Sequence, residues 1–243
     1  MVTGGTKGIG RAIAETLAAE GANVAFCARS PDEVAQTVQA LSVFGVQVTG
    51  STLDVANGEA LARWVNAAAG DFGGLDIVVA NVSALAIAND EAGWQRGFEV
   101  DMMGTVRLVN AALPHLEKSA HASIVTISSV SGREIDFAAG PYGAFKAAII
   151  HYTQGLAYHL AGKHIRANSV SPGNTYFAGG VWNQIEHGNP ELFKTALAMN
   201  PTGRMGTPQE MANAVAFLAS PAASFVTGTN LVVDGALTKG VQF

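Results

Sequence analysis

Tyr142 and Lys146 stand four residues apart in the run Pro-Tyr-Gly-Ala-Phe-Lys-Ala-Ala-Ile-Ile. If that run is helical, phenol and ammonium share one face, with about 5–6 Å between Cβ atoms. A free phenol loses its proton near pH ~10, too high for proton exchange at neutrality, and a cation beside it favours the phenolate. Tyr142 is therefore a candidate general acid/base. Just upstream, Ile124-Val125-Thr126-Ile127 reads as a strand that delivers Ser128 and Ser129 at its end, and a serine hydroxyl there could bond the same substrate oxygen. Such a set suits proton transfer to or from a carbonyl or alcohol oxygen. By itself the pattern is common: Tyr-x-x-x-Lys arises by chance on amphipathic helices, and serines end many strands. A solvated Lys146 beside a half-buried Tyr142 is the competing reading, and the remaining chain has to decide.

A second candidate lies at the N-terminus. Met1-Val2-Thr3 leads into Gly4-Gly5-Thr6-Lys7-Gly8-Ile9-Gly10 and then a helical pattern over 11–20. A strand, a glycine-rich turn and a helix in succession turn backbone N–H groups and a helix N-terminus toward an anion, normally a cofactor pyrophosphate. Gly8 and Gly10 would let the backbone approach the phosphates. The spacing is Gly-x-x-x-Gly-x-Gly counted from Gly4, and Lys7 lacks the following Ser/Thr of a nucleotide triphosphate loop, which excludes that class. Two or three residues are few for a central strand of usual length, about five or six, so residues preceding Met1 are expected. The second strand, 23–28, ends at Arg29. A carboxylate near this point binds ribose hydroxyls in dinucleotide folds, whereas an arginine accommodates a 2′-phosphate. Arg29, with Lys7 as a second cation and no acid in place, favours NADP(H) over NAD(H). Asp54 and Val55 end the next strand, 46–53. The aspartate could bond an adenine amino group or cap the helix that follows.

With 49% hydrophobic and 14% charged residues in a chain of 243, a large buried core is expected and global disorder is not. The net charge of −5 argues against nucleic-acid or anionic-membrane partners. No apolar stretch reaches membrane-spanning length, and no signal-peptide pattern opens the sequence. Cys27 is the only cysteine, so an intramolecular disulfide is impossible and a cytoplasmic setting is expected. Its apolar neighbours mark it as a buried structural thiol. No metal is expected. Strand and helix signals alternate about seven times without repeat or linker, which reads as one α/β domain, a Rossmann-type doubly wound parallel sheet of about seven strands. Within it, 75–80 is a buried strand opening a loop at Asn81, 91–116 a long helix with Asp101 inside, and 141–161 the helix of Tyr142 and Lys146. A strand over 165–170 precedes Pro172-Gly173, a helix spans 208–219, and 229–233 is the last strand. Aromatic residues (Tyr176, Phe177, Trp182, Phe193) concentrate beside Gly179-Gly180, so 174–205 reads as a lid over a mostly apolar ligand. His187 in that stretch reads as a surface residue.

Taken in order, Thr3-Gly-Gly-Thr-Lys-Gly-Ile-Gly10, Asp54-Val55, Asn81, Ser129, Tyr142-x-x-x-Lys146 and Pro172-Gly173 resemble the short-chain dehydrogenase/reductase family across nearly the whole chain. Asn200-Pro201-x-Gly203-Arg204 and Gly228-Thr229-x-Leu231-x-Val233-Asp234-Gly235 resemble its 3-oxoacyl-reductase-like members. The resemblance implies a nicotinamide cofactor, a small-molecule carbonyl or alcohol substrate, and usually a homotetramer, here through 91–116 and 141–161. It implies Ser129, thirteen residues before the tyrosine, as catalytic serine rather than Ser128. Tyr142 would exchange the proton, and Lys146 would hold the cofactor ribose and acidify the phenol. It places the cofactor on Gly4, Thr6, Lys7, Gly8, Ile9, Gly10, Arg29, Asp54, Val55, Asn81, Tyr142, Lys146, Pro172, Gly173 and Thr175. Three departures stand out. Asp101 occupies the position of a catalytic asparagine, the family's Asn-Asn-Ala-Gly is Ala80-Asn81-Val82-Ser83, and Phe177 stands where a threonine is frequent. The expected function is an NADP(H)-dependent reductase or dehydrogenase of an apolar or acyl-thioester-like substrate. The alternative is a catalytically weak cofactor-binding sensor or regulatory subunit, with Asp101 marking decayed chemistry.

Overall fold

The short apolar runs of the sequence form one parallel sheet in the computed structural model, which describes residues 1–241. Its strands are β1 (Val2–Thr3), β2 (Val24–Ala28), β3 (Val48–Thr52), β4 (Ile77–Ala80), β5 (Ser123–Ile127), β6 (Arg166–Pro172) and β7 (Asn230–Val233). They lie in the order β3-β2-β1-β4-β5-β6-β7, every neighbouring pair parallel. Strands buried on both faces need no polar alternation, and all five residues of β5 are buried. The winding reverses between β1 and β4, so a crevice opens there at the strands' C-terminal ends, where ligands bind in such sheets.

Helices cover both faces: α1 (Gly8–Ala19), α2 (Pro31–Leu41), α3 (Gly58–Asp71), α4 (Glu91–Gly97), α5 (Gly104–Leu116), α6 (Pro141–Leu160), α7 (Val181–Gly188), α8 (Pro190–Met199) and α9 (Pro208–Ala219). One core packs Leu61, Val65, Leu108 and Leu116 against Ile124 and Ile165. The other packs Ile13, Leu17, Val215 and Leu218 against Phe26 and Val125. A smaller cluster of Trp182, Ala196 and Met205 lies under α7 and α8. Helix starts follow local chemistry: Ser30 accepts the Glu33 N–H ahead of Pro31, and Thr207 forms a capping box with Glu210 ahead of Pro208. Among the described residues no helix is long and apolar enough to cross a membrane, and no cluster of His, Cys, Asp and Glu could hold a metal ion.

One expectation needs correction, and one of the two readings left open for Asp54 falls. The segment 91–116 is not one α-helix, because a π-helical turn, Phe98–Met103, separates α4 from α5. The widened turn carries Asp101 inward to 2% exposure, and the Thr105 hydroxyl donates to the Asp101 carbonyl at 2.7 Å. Such turns insert a residue and re-aim a side chain, which periodicity cannot reveal. Asp54 does not cap the following helix. It accepts the Ala56 N–H at 2.9 Å and closes its own turn, while Asn57 caps α3.

Candidate active site

The glycine turn is built by close backbone packing. Gly4 and Gly8 have positive φ angles, 68° and 52°, a region where L side chains are strained. Gly10 packs onto the turn itself, so that a Cβ there would lie 2.1 Å from the Gly4 carbonyl and 2.4 Å from Asn81 Nδ2. Asn81 ties the turn to β4, its Nδ2 donating to the Thr3 carbonyl and its backbone N–H to Thr3 Oγ1, both at 3.0 Å. The N–H groups of Gly4 and Gly5 donate back to the Cys27 carbonyl. The N-terminus of α1, headed by Gly8 and Ile9, faces the crevice, where the Phe177 ring packs over Gly8.

Two cavities meet along this crevice. One, of about 510 Å³, is lined by Gly4, Thr6, Lys7, Arg29, Asp54 and Val55. The other, of about 280 Å³, gathers Ile9, Gly10, Ser129, Tyr142, Lys146 and Thr175, with Pro172 and Gly173 also on its wall. Asn81 borders both. Every residue that the sequence nominates for cofactor or chemistry, except Asp101 and Gly8, thus lines one groove; Gly8 is packed under the Phe177 ring. Lys7 departs from expectation: its amine pairs with Glu33 at 2.6 Å. Thr6 also donates to that carboxylate at 3.1 Å. The Lys7 hydrogen bond, helped by Thr6, holds the Glu33 carboxyl below its ordinary range. Arg29 is exposed at the end of β2.

In the second cavity the i,i+4 geometry of α6 brings Lys146 Nζ to 5.6 Å from the centre of the Tyr142 ring. Lys146 is 2% exposed, its Nζ donating to the Ile127 carbonyl at 3.0 Å and lying 3.4 Å from Asp101 Oδ1. Asp101 Oδ2 accepts the Ala84 N–H at 2.8 Å, which fixes the loop after β4. The serines divide their work. Ser128 donates its hydroxyl to the Lys146 carbonyl at 2.7 Å, whereas Ser129 Oγ accepts the Ser131 N–H at 3.1 Å and keeps its own proton available. Thr175 donates to the Gly173 carbonyl at 3.0 Å. The site therefore offers a phenol beside a buried ammonium and a hydroxyl donor in one cavity, the equipment for proton transfer at a substrate oxygen.

Leu85, Ile87, Phe137, Val181 and Trp182 complete that cavity, and the Phe137 and Trp182 rings meet edge to face at 5.8 Å. Sequence reasoning missed Phe137 and the Leu85–Ile87 pair. Their signal was available, since apolar side chains in loops at strand ends have no core to fill. Glu33 was missed because only the fold brings α2 against the glycine turn. His187 lies outside the groove, its ring bonded to the Asn183 carbonyl of its own helix.

Comparison with known proteins agrees with this architecture. The family model described as enoyl-(acyl carrier protein) reductase matches residues 4–238. Isoepoxydon dehydrogenase patN of Penicillium expansum is 40% identical over 250 residues, covering 100% of this chain and 95% of its own. The NADPH-bound short chain oxidoreductase of Pseudomonas aeruginosa PAO1, which contains an atypical catalytic center, superposes with a TM-score of 0.92 at 28% identity, covering 99% of this chain and 96% of that one. A 7α-hydroxysteroid dehydrogenase complexed with NADH and 7-oxo glycochenodeoxycholic acid gives 0.90 at 30% identity, covering 97% and 92%. From the glycine turn to the last strand, the chain belongs to the short-chain dehydrogenase/reductase family.

Proposed function

We propose that this oxidoreductase interconverts a ketone and a secondary alcohol on an apolar or acyl-thioester-like substrate, with NADP(H) as cofactor. The observation that carries the proposal is the placement of Tyr142 against a buried Lys146 amine, in the same cavity as the free hydroxyl of Ser129. The residues fit a dinucleotide: the close-packed glycines bring the backbone at α1's N-terminus up to the crevice, and the groove runs from Arg29 to Tyr142. A nicotinamide cofactor supplies or accepts the hydride when bound.

The chain's own residues do the rest. Gly4, Thr6, Gly8, Ile9 and Gly10 would hold the diphosphate, and Arg29 would meet a 2′-phosphate. Asp54 and Val55 would serve the adenosine part, and Asn81, Pro172, Gly173 and Thr175 the nicotinamide part. Tyr142 gives its phenolic proton to the carbonyl oxygen, or takes one from the alcohol. Ser129 donates a hydrogen bond to that oxygen and fixes its position. Lys146 steadies the charge that develops on the phenol and reaches the cofactor ribose. Asp101 holds Lys146 from behind. Leu85, Ile87, Phe137 and Trp182 support an apolar substrate, and 174–205 acts as its lid. The aromatic contacts of Phe145 with Trp94 and Phe98, both partly exposed, support association through α4, α5 and α6 into a homotetramer, which light scattering tests. We place the protein in the cytoplasm on its single buried cysteine.

The test is NADPH oxidation over a panel of cyclic, steroidal and acyl-thioester ketones, with Tyr142→Phe as control. Turnover that depends on Tyr142 is the expected result, and turnover that survives the substitution overturns the mechanism. The buried Asp101 favours one other reading, a cofactor-binding sensor with weak chemistry. NADPH binding without turnover on any ketone would select it.

A further inference from the structure

One ring divides the groove. Phe177 lines both cavities, and it is the only aromatic residue to do so among the described residues. A Cβ at Gly8 would lie 2.5 Å from Phe177 Cζ, and a Cβ at Gly180 would lie 2.8 Å from the same atom. The end of the ring is therefore clasped between the first residue of α1 and the residue that precedes α7. Gly8 heads the helix whose unpaired N–H groups and dipole make the anion seat. A hydrocarbon ring pressed on that seat supplies no donor and shields the groups an anion would use.

We propose that Phe177 is a further residue of the cofactor site, a plug on the diphosphate seat that must swing out before a dinucleotide can span from Arg29 to Tyr142. The proposal rests on the dinucleotide reading given above. The segment is constructed for a local movement. On one side Thr175 bridges to Gly206, with Tyr176 N–H donating to the Gly206 carbonyl and Gly206 N–H to the Asn174 carbonyl, both at 2.8 Å, which anchors the chain up to residue 176. On the other side Gly179 has a φ of 75° and open space where a side chain would lie. Between them the Gly180 N–H donates to the Phe177 carbonyl in a single tight turn. Rotation of the ring and of residues 177–180 frees the seat without disturbing the sheet. When only a fraction of the molecules is open, apparent cofactor affinity falls by that fraction.

Stopped-flow mixing of the whole protein with NADPH, followed by the cofactor's own fluorescence, tests this. In the native protein the observed rate should level off with rising NADPH as ring release becomes limiting. Phe177→Ala should make the rate rise linearly and tighten Kd on the order of tenfold, the change expected for an open state populated to about a tenth. A second variant evicts the ring without deleting it. Gly180 has φ −77° and ψ 171°, ordinary extended backbone, so Gly180→Ala strains nothing but collides with the ring, and it should shift binding in the same direction. Unchanged or weaker NADPH binding in both variants, with a native rate already linear, overturns the plug. If neither the native protein nor either variant binds NADPH or NADH by calorimetry, the dinucleotide reading itself falls, and the plug with it.

Discussion

Asp101 Oδ1 lies 3.4 Å from Lys146 Nζ, with both side chains 2% exposed. Two charges withdrawn from water support each other only as a pair, and removing one partner of such a pair typically destabilises by about 3–5 kcal/mol. Asp101→Ala should therefore lower the melting temperature severely, since it also leaves the Ala84 N–H without its acceptor. Asp101→Asn separates charge from shape, because the amide oxygen can still accept from Ala84. It removes an anion from behind a lysine that faces the Tyr142 phenol. The other ionisable groups bordering the cavity are already engaged, Lys7 by Glu33 and Asp136 by Ser131 and the Ala138 N–H. Asp101→Asn should recover part of the melting temperature that Asp101→Ala loses, while NADPH affinity at neutral pH stays within twofold. Equal losses in the two variants would mean that the charge beside Lys146, not the bond to Ala84, holds this part of the fold.

Lys7 and Glu33 set up a second prediction, about cofactor choice. With Lys7 held at 2.6 Å by Glu33, Arg29 is the cation at the end of β2 placed to meet a 2′-phosphate. Glu33→Gln should release Lys7 toward that phosphate and raise the preference for NADPH over NADH several-fold, an effect that fades with added salt. Arg29→Asp should do the opposite. Because the Glu33 carboxyl is held below its ordinary range by Lys7 and Thr6, it stays ionised at neutrality, and the pair breaks only as pH falls through that lowered value. Kd values for both cofactors in the two variants decide the matter, and a native protein that prefers NADH would remove the role given to Arg29.

The sheet and the groove were largely legible because their signals are local. Val24–Ala28 and Ile77–Ala80 read as strands from continuous apolar runs, Pro208–Ala219 as a helix from its cap and proline, and Tyr142 with Lys146 from helical spacing taken together with the other motifs in register. What escaped depended on contacts distant in sequence. Nothing near Glu33 announces that α2 will set it against Lys7. Nothing near Gly8 says that a phenylalanine 169 positions later will rest on it. The π-helical turn at Asp101 was hidden for a different reason, since one inserted residue in a long apolar pattern leaves its average period unchanged.

Cys27 offers a direct check of the core. Burial pushes its thiol up to about 12, opposed by a backbone hydrogen bond from Gly4 and helped to a lesser degree by the nearby Asp54 charge. The reactive species is the thiolate. At pH 8 the folded protein should therefore leave a disulfide-exchange reagent unconsumed over hours, and one thiol per chain should react at once after denaturation. NADPH should leave this behaviour unchanged. Rapid labelling of the native protein would show that β2 opens, and with it the carbonyl that anchors Gly4 and Gly5.

Arg204 and Glu210 link the loop after α8 to the start of α9. The guanidinium holds the carboxylate at 2.6 and 2.9 Å, and the Thr207 N–H adds a third bond at 2.8 Å. The Arg204 hydrogen bonds first, then that of Thr207, lower the Glu210 carboxyl from 4.5 to about 2. A depressed carboxyl adds stability that is fully present above its unfolded value and is lost as pH falls through its folded one. The pair is solvent-exposed, 59% and 40%, so water screens most of the gain, and Glu210→Gln should cost about 1 kcal/mol at pH 7, cap included. The difference in melting temperature between native protein and variant should then shrink steadily from pH 4.5 down to 2, the window set by the two values. Thermal unfolding across that range provides the measurement, and a constant difference would assign the stabilisation to the neutral cap rather than to the ion pair.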